Sequence, residues 1–138
     1  MKIIVTGGCG FIGSALIRYL ILKTNNVILN IDSLTYAGNE KTIHGIKDSK
    51  RYSFLEVDIR DATKIHSTIK EYKPDAIFHL AAESHVDRSI ESPEDFLTTN
   101  IVGTFNMLEA ARSFYNMLEP ANQKKFKFIH ISTDEVYG

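Results

Sequence analysis

The sequence predicts an α/β protein with a doubly wound parallel sheet (Rossmann-type) of five strands and helices on both faces. Short apolar runs alternate with longer segments whose apolar residues have helical spacing. A glycine-rich turn joins the first apolar run to the first such segment. The 138 residues suffice for one domain and are too few for two.

The first half of the chain predicts two strands and a helix before a long loop. Residues 2–6 are an apolar run that ends at glycines, which indicates a buried strand. Residues 27–31 follow two asparagines and predict a second strand, and the polar, aperiodic residues 33–50 predict a loop with one helical turn. Residues 11–22 predict a helix, with helical spacing of Phe11, Ile12, Ala15, Leu16, Tyr19 and Leu20.

The second half predicts the other three strands, over residues 52–57, 76–81 and 127–132. Right-handed crossovers would place the first strand centrally, between the second and the fourth.

Two more helices separate these strands. Asp61 is predicted to cap a helix over 62–72, with Ile65, Ile69 and Tyr72 on one face. Ser92 is predicted to cap a helix that runs to about residue 118 and ends before Pro120, since Pro93 and two acids suit its first turn.

Composition excludes several classes of function. The formal net charge of −1 gives no general attraction to nucleic acid or to anionic membranes. The single cysteine, Cys9, excludes an internal disulfide and favours a reducing cytoplasm. No apolar run of membrane-spanning length occurs, and the N-terminus lacks the features of a signal peptide.

The turn over residues 6–13, Thr-Gly-Gly-Cys-Gly-Phe-Ile-Gly, predicts a dinucleotide site. Glycine at Gly7, Gly10 and Gly13 permits a tight turn, close approach of a pyrophosphate and close helix–sheet packing. The helix N-terminus adds N–H donors and a positive partial charge. Cys9 within the turn is interpreted as a space-filling residue, with a redox sensor as the alternative.

Asp32, at the end of the second strand, indicates which dinucleotide binds. A carboxylate there accepts from both adenosine ribose hydroxyls and repels a 2′-phosphate, so NAD is favoured over NADP. The alternative is a structural turn followed by a surface aspartate.

Polar residues and alanines follow the later strands, where ligands of open α/β sheets bind. Asp58 is suited to accept from the adenine amino group while Ile59 packs on the ring, although Asp58 and Asp61 would also serve as helix caps. Ala81 and Ala82 permit close approach of a flat ligand, or are ordinary packing at a strand end. The adjacent acids Asp134 and Glu135 suit acid–base chemistry, or begin a solvated loop.

The five histidines show no metal-ligand spacing, and no metal site is predicted. His79 and His130 lie within predicted strands and are interpreted as core residues, and His85 is not assigned.

Residues 6–13, 32–39, 79–89 and 132–138 together resemble the extended short-chain dehydrogenase/reductase family, and within it the NAD-dependent nucleotide-sugar 4,6-dehydratases. The resemblance implies dTDP-glucose as substrate and dTDP-4-dehydro-6-deoxyglucose as product. A hydride leaves carbon 4 for NAD, water is eliminated across carbons 5 and 6, and the hydride returns at carbon 6.

The resemblance also implies roles for individual residues. Asp134 would be the acid, Glu135 the base, and Thr133 would hydrogen-bond the substrate near carbon 4. Ser84 would contact both the cofactor region and the sugar. The implied NAD contacts are Phe11, Ile12, Asp32, Ser33, Leu34, Thr35, Asp58, Ile59, Leu80, Ala81, Ala82 and Thr99.

The family's Tyr-x-x-x-Lys pair and its substrate domain would follow Gly138, so we expect an incomplete NAD-binding domain over residues 1–138 that is inactive alone. The alternatives are a dehydratase acting on a UDP-hexose and a truncated, non-catalytic NAD-binding module. The resemblance further implies a homodimer of the full-length enzyme paired through the helix at 92–118, although the apolar positions of that helix could equally all be core.

Overall fold

The computed structural model describes residues 1–36, 38–85, 90 and 92–133. Its five strands are β1 Lys2–Thr6, β2 Val27–Asp32, β3 Tyr52–Glu56, β4 Ala76–His79 and β5 Lys127–His130. Its helices are α1 Phe11–Lys23, α2 Ala62–Tyr72, α3 Pro93–Leu97, α4 Thr104–Asn116 and α5 Pro120–Gln123. A 3₁₀ turn spans Glu40–Ile43, and a π-helical turn, Thr98–Gly103, joins α3 to α4.

All strand pairs are parallel, and the strand order is β3-β2-β1-β4-β5. The predicted fold class and the central position of β1 are confirmed. Ile4 of β1 lies opposite Leu29 of β2 and Ile77 of β4, and all three side chains are buried. Burial on both faces explains why the central strands are continuous apolar runs.

Helices cover both faces of the sheet, as predicted. On one face, Ile65 and Ile69 of α2 pack with Met107 and Phe114 of α4 against Ile4. On the other face, Ile17 and Ile21 of α1 pack against Val5, together with Ile43 and Ile46 of the segment between β2 and β3. The carboxyl ends of the strands lie at one edge of the sheet, between the helices on its two faces.

The predicted helix over 92–118 is confirmed as a consecutive run of helical residues over 93–116, in which residues 98–103 are π-helical. Ser92 occupies the N-cap position of α3 and Pro93 lies in its first turn, as predicted, but the Ser92 side chain makes no capping hydrogen bond. Asp61 caps α2 as predicted, by accepting from the Lys64 N–H at 3.0 Å. The π-helical turn interrupts the ladder, and α4 ends at Asn116. Pro120 begins a further short helix, since proline suits a first helical turn.

The predicted apolar face of α1 is wrong in part. Phe11, Ile12 and Tyr19 are exposed, and the face against the sheet instead contains Ile17 and Ile21. Because α1 is apolar on most of its sides, spacing alone does not select the buried face.

His79 is fully buried, as predicted, but His130 is exposed and its assignment to the core is wrong. Both lie at paired positions of β4 and β5. In the described part of the chain β5 is an edge strand, which leaves His130 uncovered.

Candidate dinucleotide-binding site

The turn between β1 and α1, which we call the glycine loop (Gly7–Gly13), has a backbone that requires glycine. Gly7 has φ +70°, and a Cβ there would lie 2.7 Å from the Ala81 nitrogen. A Cβ at Gly13 would collide with the Gly7 carbonyl oxygen. Gly10 is the N-cap residue that precedes α1, and it has no side chain to accept from the helix. The first N–H groups of α1 are therefore available to an anion.

The Asp32 carboxylate lies at the carboxyl end of β2 and is bound by backbone donors from two segments. The Cys9 N–H donates to Oδ2 at 2.8 Å, and the Leu34 N–H donates to Oδ1 at 2.9 Å. Leu34 has φ +52°, a conformation that non-glycine residues adopt uncommonly. Asp32 is only 9% exposed. A carboxylate has about four acceptor sites, so two bonds leave capacity for ribose hydroxyls.

Cys9 is buried within the glycine loop, which agrees with its interpretation as a space-filling residue. Its thiol accepts from the Asn30 amide at 3.5 Å.

Asp58, after β3, is held by Arg60. The guanidinium donates to Oδ2 from Nε at 2.9 Å and from a terminal nitrogen at 2.7 Å, and the Arg60 N–H donates to Oδ1 at 2.8 Å. Burial raises the pKa of Asp58, but these hydrogen bonds and the positive charge of Arg60 outweigh it and lower the pKa below its usual value. Arg60 also reaches Asp95 at 3.2 Å, which ties this segment to α3.

Ile59, the neighbour of Asp58, is buried and packs in the core with α2 and α4. A Cβ on Gly103 would lie 2.6 Å from the Ile59 side chain. The side chain expected to pack on adenine is therefore mainly a core residue.

The segment after β4 lies beside the glycine loop. The Leu80 N–H donates to the Thr6 carbonyl at 3.1 Å, and the Ala81 N–H donates to the Thr6 hydroxyl at 3.3 Å. Leu80 and Ala81 are half-buried, whereas Ala82 and Ser84 are exposed. β4 ends at His79, two residues earlier than predicted, so these alanines belong to the loop.

Three residues without a predicted role meet in this region. The Tyr36 hydroxyl donates to Glu83 Oε2 at 2.9 Å. The Asn100 side chain accepts from the Glu83 N–H and donates to the Glu83 carbonyl, both at 2.8 Å. Tyr36 and Glu83 fall within segments that carry the family resemblance. Asn100 has no sequence signal, because its role depends on the π-helical turn.

Most of the predicted cofactor contacts thus gather at the carboxyl ends of β1, β2 and β4. Phe11 is 91% exposed and Ile12 61% exposed beside the glycine loop, and Ser33 and Thr35 are also exposed. Thr99 is half-buried in the π-helical turn, and Thr133 is exposed after β5. Asp134 and Glu135 lie outside the described residues.

Tyr-x-x-x-Lys spacing does occur within the chain, at Tyr19 and Lys23. These residues lie on the last two turns of α1, at the opposite end of the helix from the glycine loop.

Among the described residues, no three His, Cys, Asp or Glu side chains are grouped closely enough to hold a metal ion. A search of the same residues finds no helix with the length and hydropathy needed to cross a membrane.

The parallel sheet, the glycine loop leading into α1 and the acid at the end of β2 define a Rossmann-type domain. A model of the family described as GDP-mannose 4,6 dehydratase matches residues 4–138. The chain belongs to this family.

Relatives named as dTDP-glucose 4,6-dehydratases match the whole chain. It is 53% identical over 137 residues to the dTDP-glucose 4,6-dehydratase of Neisseria meningitidis, covering 99% of this chain and 39% of the relative. It is 54% identical over 138 residues to that of Shigella flexneri, covering 100% and 38%. The chain therefore spans about two fifths of the length of these relatives.

A solved structure agrees with the sequence relatives. DesIV, a dTDP-glucose 4,6-dehydratase from Streptomyces venezuelae crystallised with NAD, superposes with a TM-score of 0.85 at 39% identity. The match covers 100% of this chain and 41% of DesIV.

Proposed function

We propose that residues 1–138 form the NAD-binding domain of an NAD-dependent dTDP-glucose 4,6-dehydratase. The observation that carries the proposal is the Asp32 carboxylate, fixed by the Cys9 and Leu34 N–H groups beside the glycine loop. The names of the relatives at 53–54% identity support the reaction. They also favour dTDP-glucose over the UDP-hexose alternative.

The residues present fit NAD. Glycine at Gly7 and Gly13 permits the tight turn, because a Cβ at either position would collide with neighbouring backbone atoms of the protein. The uncapped N–H groups at the start of α1 would then be donors for a pyrophosphate that lies on this turn. Asp32 retains acceptor sites for the adenosine ribose, and its charge disfavours a 2′-phosphate. Phe11 and Ile12 supply exposed apolar surface for the ligand to cover.

When bound, NAD accepts the hydride from carbon 4 of the sugar and returns it at carbon 6. The elimination between these steps needs a base for the carbon 5 proton and an acid for the departing hydroxyl. Glu135 is the proposed base and Asp134 the proposed acid. Thr133 and Ser84 are proposed to hydrogen-bond the sugar.

We also propose that the protein pairs as a homodimer through α3, the π-helical turn and α4. Leu97, Ile101, Phe105 and Leu108 are all exposed on these elements. The buried positions of α4 are others, among them Met107, Ala110 and Phe114. This exposed row of apolar side chains supports dimerisation through the helix. It disfavours the alternative in which every apolar position of the helix is buried in the core.

Calorimetric titration of the chain with NAD and with NADP tests the proposed function. We expect tighter binding of NAD by on the order of 2–4 kcal/mol. Asp32→Asn should narrow the difference, because the amide removes the negative charge that repels a 2′-phosphate and one of the two acceptor oxygens for the ribose. Asp48→Asn, at an exposed aspartate away from the glycine loop, is the matched control and should bind like the unaltered chain. Equal or tighter binding of NADP by the unaltered chain would contradict the proposal.

A further inference from the structure

Three segments lie side by side at the carboxyl end of β1, with the glycine loop in the middle. On one side, the loop after β2 is bound to it: the Asn39 N–H donates to the Cys9 carbonyl at 3.1 Å, and the Thr42 hydroxyl donates to the same oxygen at 3.4 Å. On the other side, the segment after β4 packs so closely that Ala81 leaves no room for a Cβ on Gly7. The two outer segments are thus anchored separately to the glycine loop.

The outer segments also contact each other directly. Besides the hydrogen bond from Tyr36 to Glu83, the Tyr36 ring lies 5.8 Å from the His85 ring, centroid to centroid. Tyr36 and Glu83 are 47 positions apart in the chain. Together with the two anchors, this contact closes a ring of three segments around the end of β1.

Glu83 is held in place without using its carboxylate. Asn100 satisfies both the N–H and the carbonyl of Glu83, and the π-helical turn presents Asn100 at this position. π-Helical turns are rare and occur frequently at functional sites. The Asn100 hydrogen bonds therefore fix the backbone of Glu83, and the Glu83 carboxylate remains available to accept from the Tyr36 hydroxyl.

We propose that Tyr36 and Glu83 form a strap that closes over the pyrophosphate of the bound dinucleotide and retains it. The inference rests on the proposed function, which places the adenosine ribose at Asp32 and the pyrophosphate on the glycine loop. A dinucleotide in that orientation would lie across the glycine loop, and the Tyr36–Glu83 contact joins the segments after β2 and β4 on the two sides of that loop. Retention matters for this chemistry, because a reduced cofactor lost between the two hydride transfers would leave the sugar oxidised.

The strap predicts a change in the rate of cofactor release. Chain loaded with NADH is mixed in a stopped-flow instrument with excess NAD, and loss of NADH fluorescence gives the dissociation rate. Tyr36→Phe and Glu83→Ala should each raise that rate about fivefold, the effect expected of one exposed hydrogen bond. The double variant should dissociate no faster than either single one, and Glu83→Gln, which keeps an acceptor, should restore much of the slow release.

Two controls separate the strap from a general loss of structure. Tyr19→Phe removes an exposed hydroxyl at the far end of α1 and should leave the dissociation rate unchanged. The thermal midpoint without cofactor should fall by no more than about 5 °C in Tyr36→Phe, the effect of losing one exposed hydrogen bond, and a larger fall would indicate a general loss of structure. If all variants bind NADH and release it at the same rate, the strap is wrong but the proposed function stands. The same holds if the strap variants bind NADH faster but release it at an unchanged rate. Failure of the unaltered chain to bind either form of the cofactor would overturn both the strap and the proposed function.

Discussion

His79 is a buried histidine that joins three elements of the fold. Its Nδ1 lies 2.6 Å from the Thr6 hydroxyl of β1, and its Nε2 lies 3.1 Å from the Thr104 hydroxyl of α4. Its ring stacks on that of His130 at 5.2 Å. Burial, and to a lesser extent the charge of His130, lower the pKa of His79 to about 4. His79 is therefore neutral in the folded protein at pH 7, and each hydroxyl can serve as donor or acceptor.

This pKa predicts a loss of stability in mild acid. Below pH 6.5 the unfolded chain protonates this histidine while the folded protein does not, so the free energy of unfolding falls until the pH reaches the folded pKa. The shift from 6.5 to about 4 corresponds to about 3 kcal/mol. Denaturant unfolding followed by circular dichroism suits a chain without tryptophan.

A histidine variant isolates this effect from the titration of carboxylates. The difference in unfolding free energy between the unaltered chain and His79→Gln should shrink by about 3 kcal/mol as the pH falls from 7 to 4. His44→Gln, at an exposed histidine, should run parallel to the unaltered chain. Parallel curves for His79→Gln would show that His79 is not the group responsible.

Single residues were predictable where their role depends on position relative to a strand. Gly7 and Asp32 are identified from the sequence because a glycine turn after the first strand, followed by an acid at the end of the second, is typical of a dinucleotide site. The Cys9 N–H bond to Asp32 and the Asn100 clamp on Glu83 link positions 23 and 17 residues apart. Such contacts depend on the conformation of the loops, which cannot be predicted from the spacing of residues in the sequence.

The π-helical turn is the element that departs most from prediction. Gly103, its last residue, is buried against Ile59, which follows Asp58 of the candidate adenine site. The backbone of this region is tied again by Asn106, whose amide donates to the carbonyls of Ile59 and Arg60 at 3.1 Å. The turn thus supports the segment after β3 as well as the segment after β4.

Adding a methyl group at Gly103 tests how tightly these elements pack. A Cβ would lie 2.6 Å from two carbons of Ile59, so Gly103→Ala should lower the free energy of unfolding by about 1–3 kcal/mol. Gly45→Ala is the matched control, because a Cβ there meets nothing within 4 Å; it should be neutral or slightly stabilising. Urea unfolding of both variants measures the difference. Equal stabilities would mean that Ile59 moves aside without cost.

Helices and strands with a strong local sequence signature were predicted well, but the π-helical turn was not predicted. The five strands and α2 fall within two residues of their predicted bounds, since apolar runs and the Asp61 cap define them locally. The change from α-helical to π-helical hydrogen bonding at Thr98 has no proline or glycine at its start, so the sequence indicates one uniform helix. The sequence therefore does not indicate the π-helical turn, whose last residue, Gly103, lies against Ile59.

At the scale of the whole molecule, two surfaces could bring chains together. One is the exposed row of Leu97, Ile101, Phe105 and Leu108, where Ile101 is 62% and Phe105 59% exposed. The other is β5, an edge strand in the part of the chain that the structure describes, where Ile131 is exposed; unpaired strand edges promote association. Helix pairing gives a closed, symmetric dimer, whereas pairing of β5 with the opposite sheet edge, β3, gives open-ended aggregates.

Charged substitutions distinguish the two surfaces. A glutamate in the centre of a paired helical row would be buried without a partner, so Phe105→Glu should weaken dimerisation on the order of 100-fold. Ile131→Glu, at the sheet edge, should leave the dimer intact and reduce any larger aggregates. Sedimentation velocity over a range of protein concentrations reports both species. If Ile131→Glu gives monomers while Phe105→Glu remains dimeric, the sheet edge is the interface, and the helical row has some other partner.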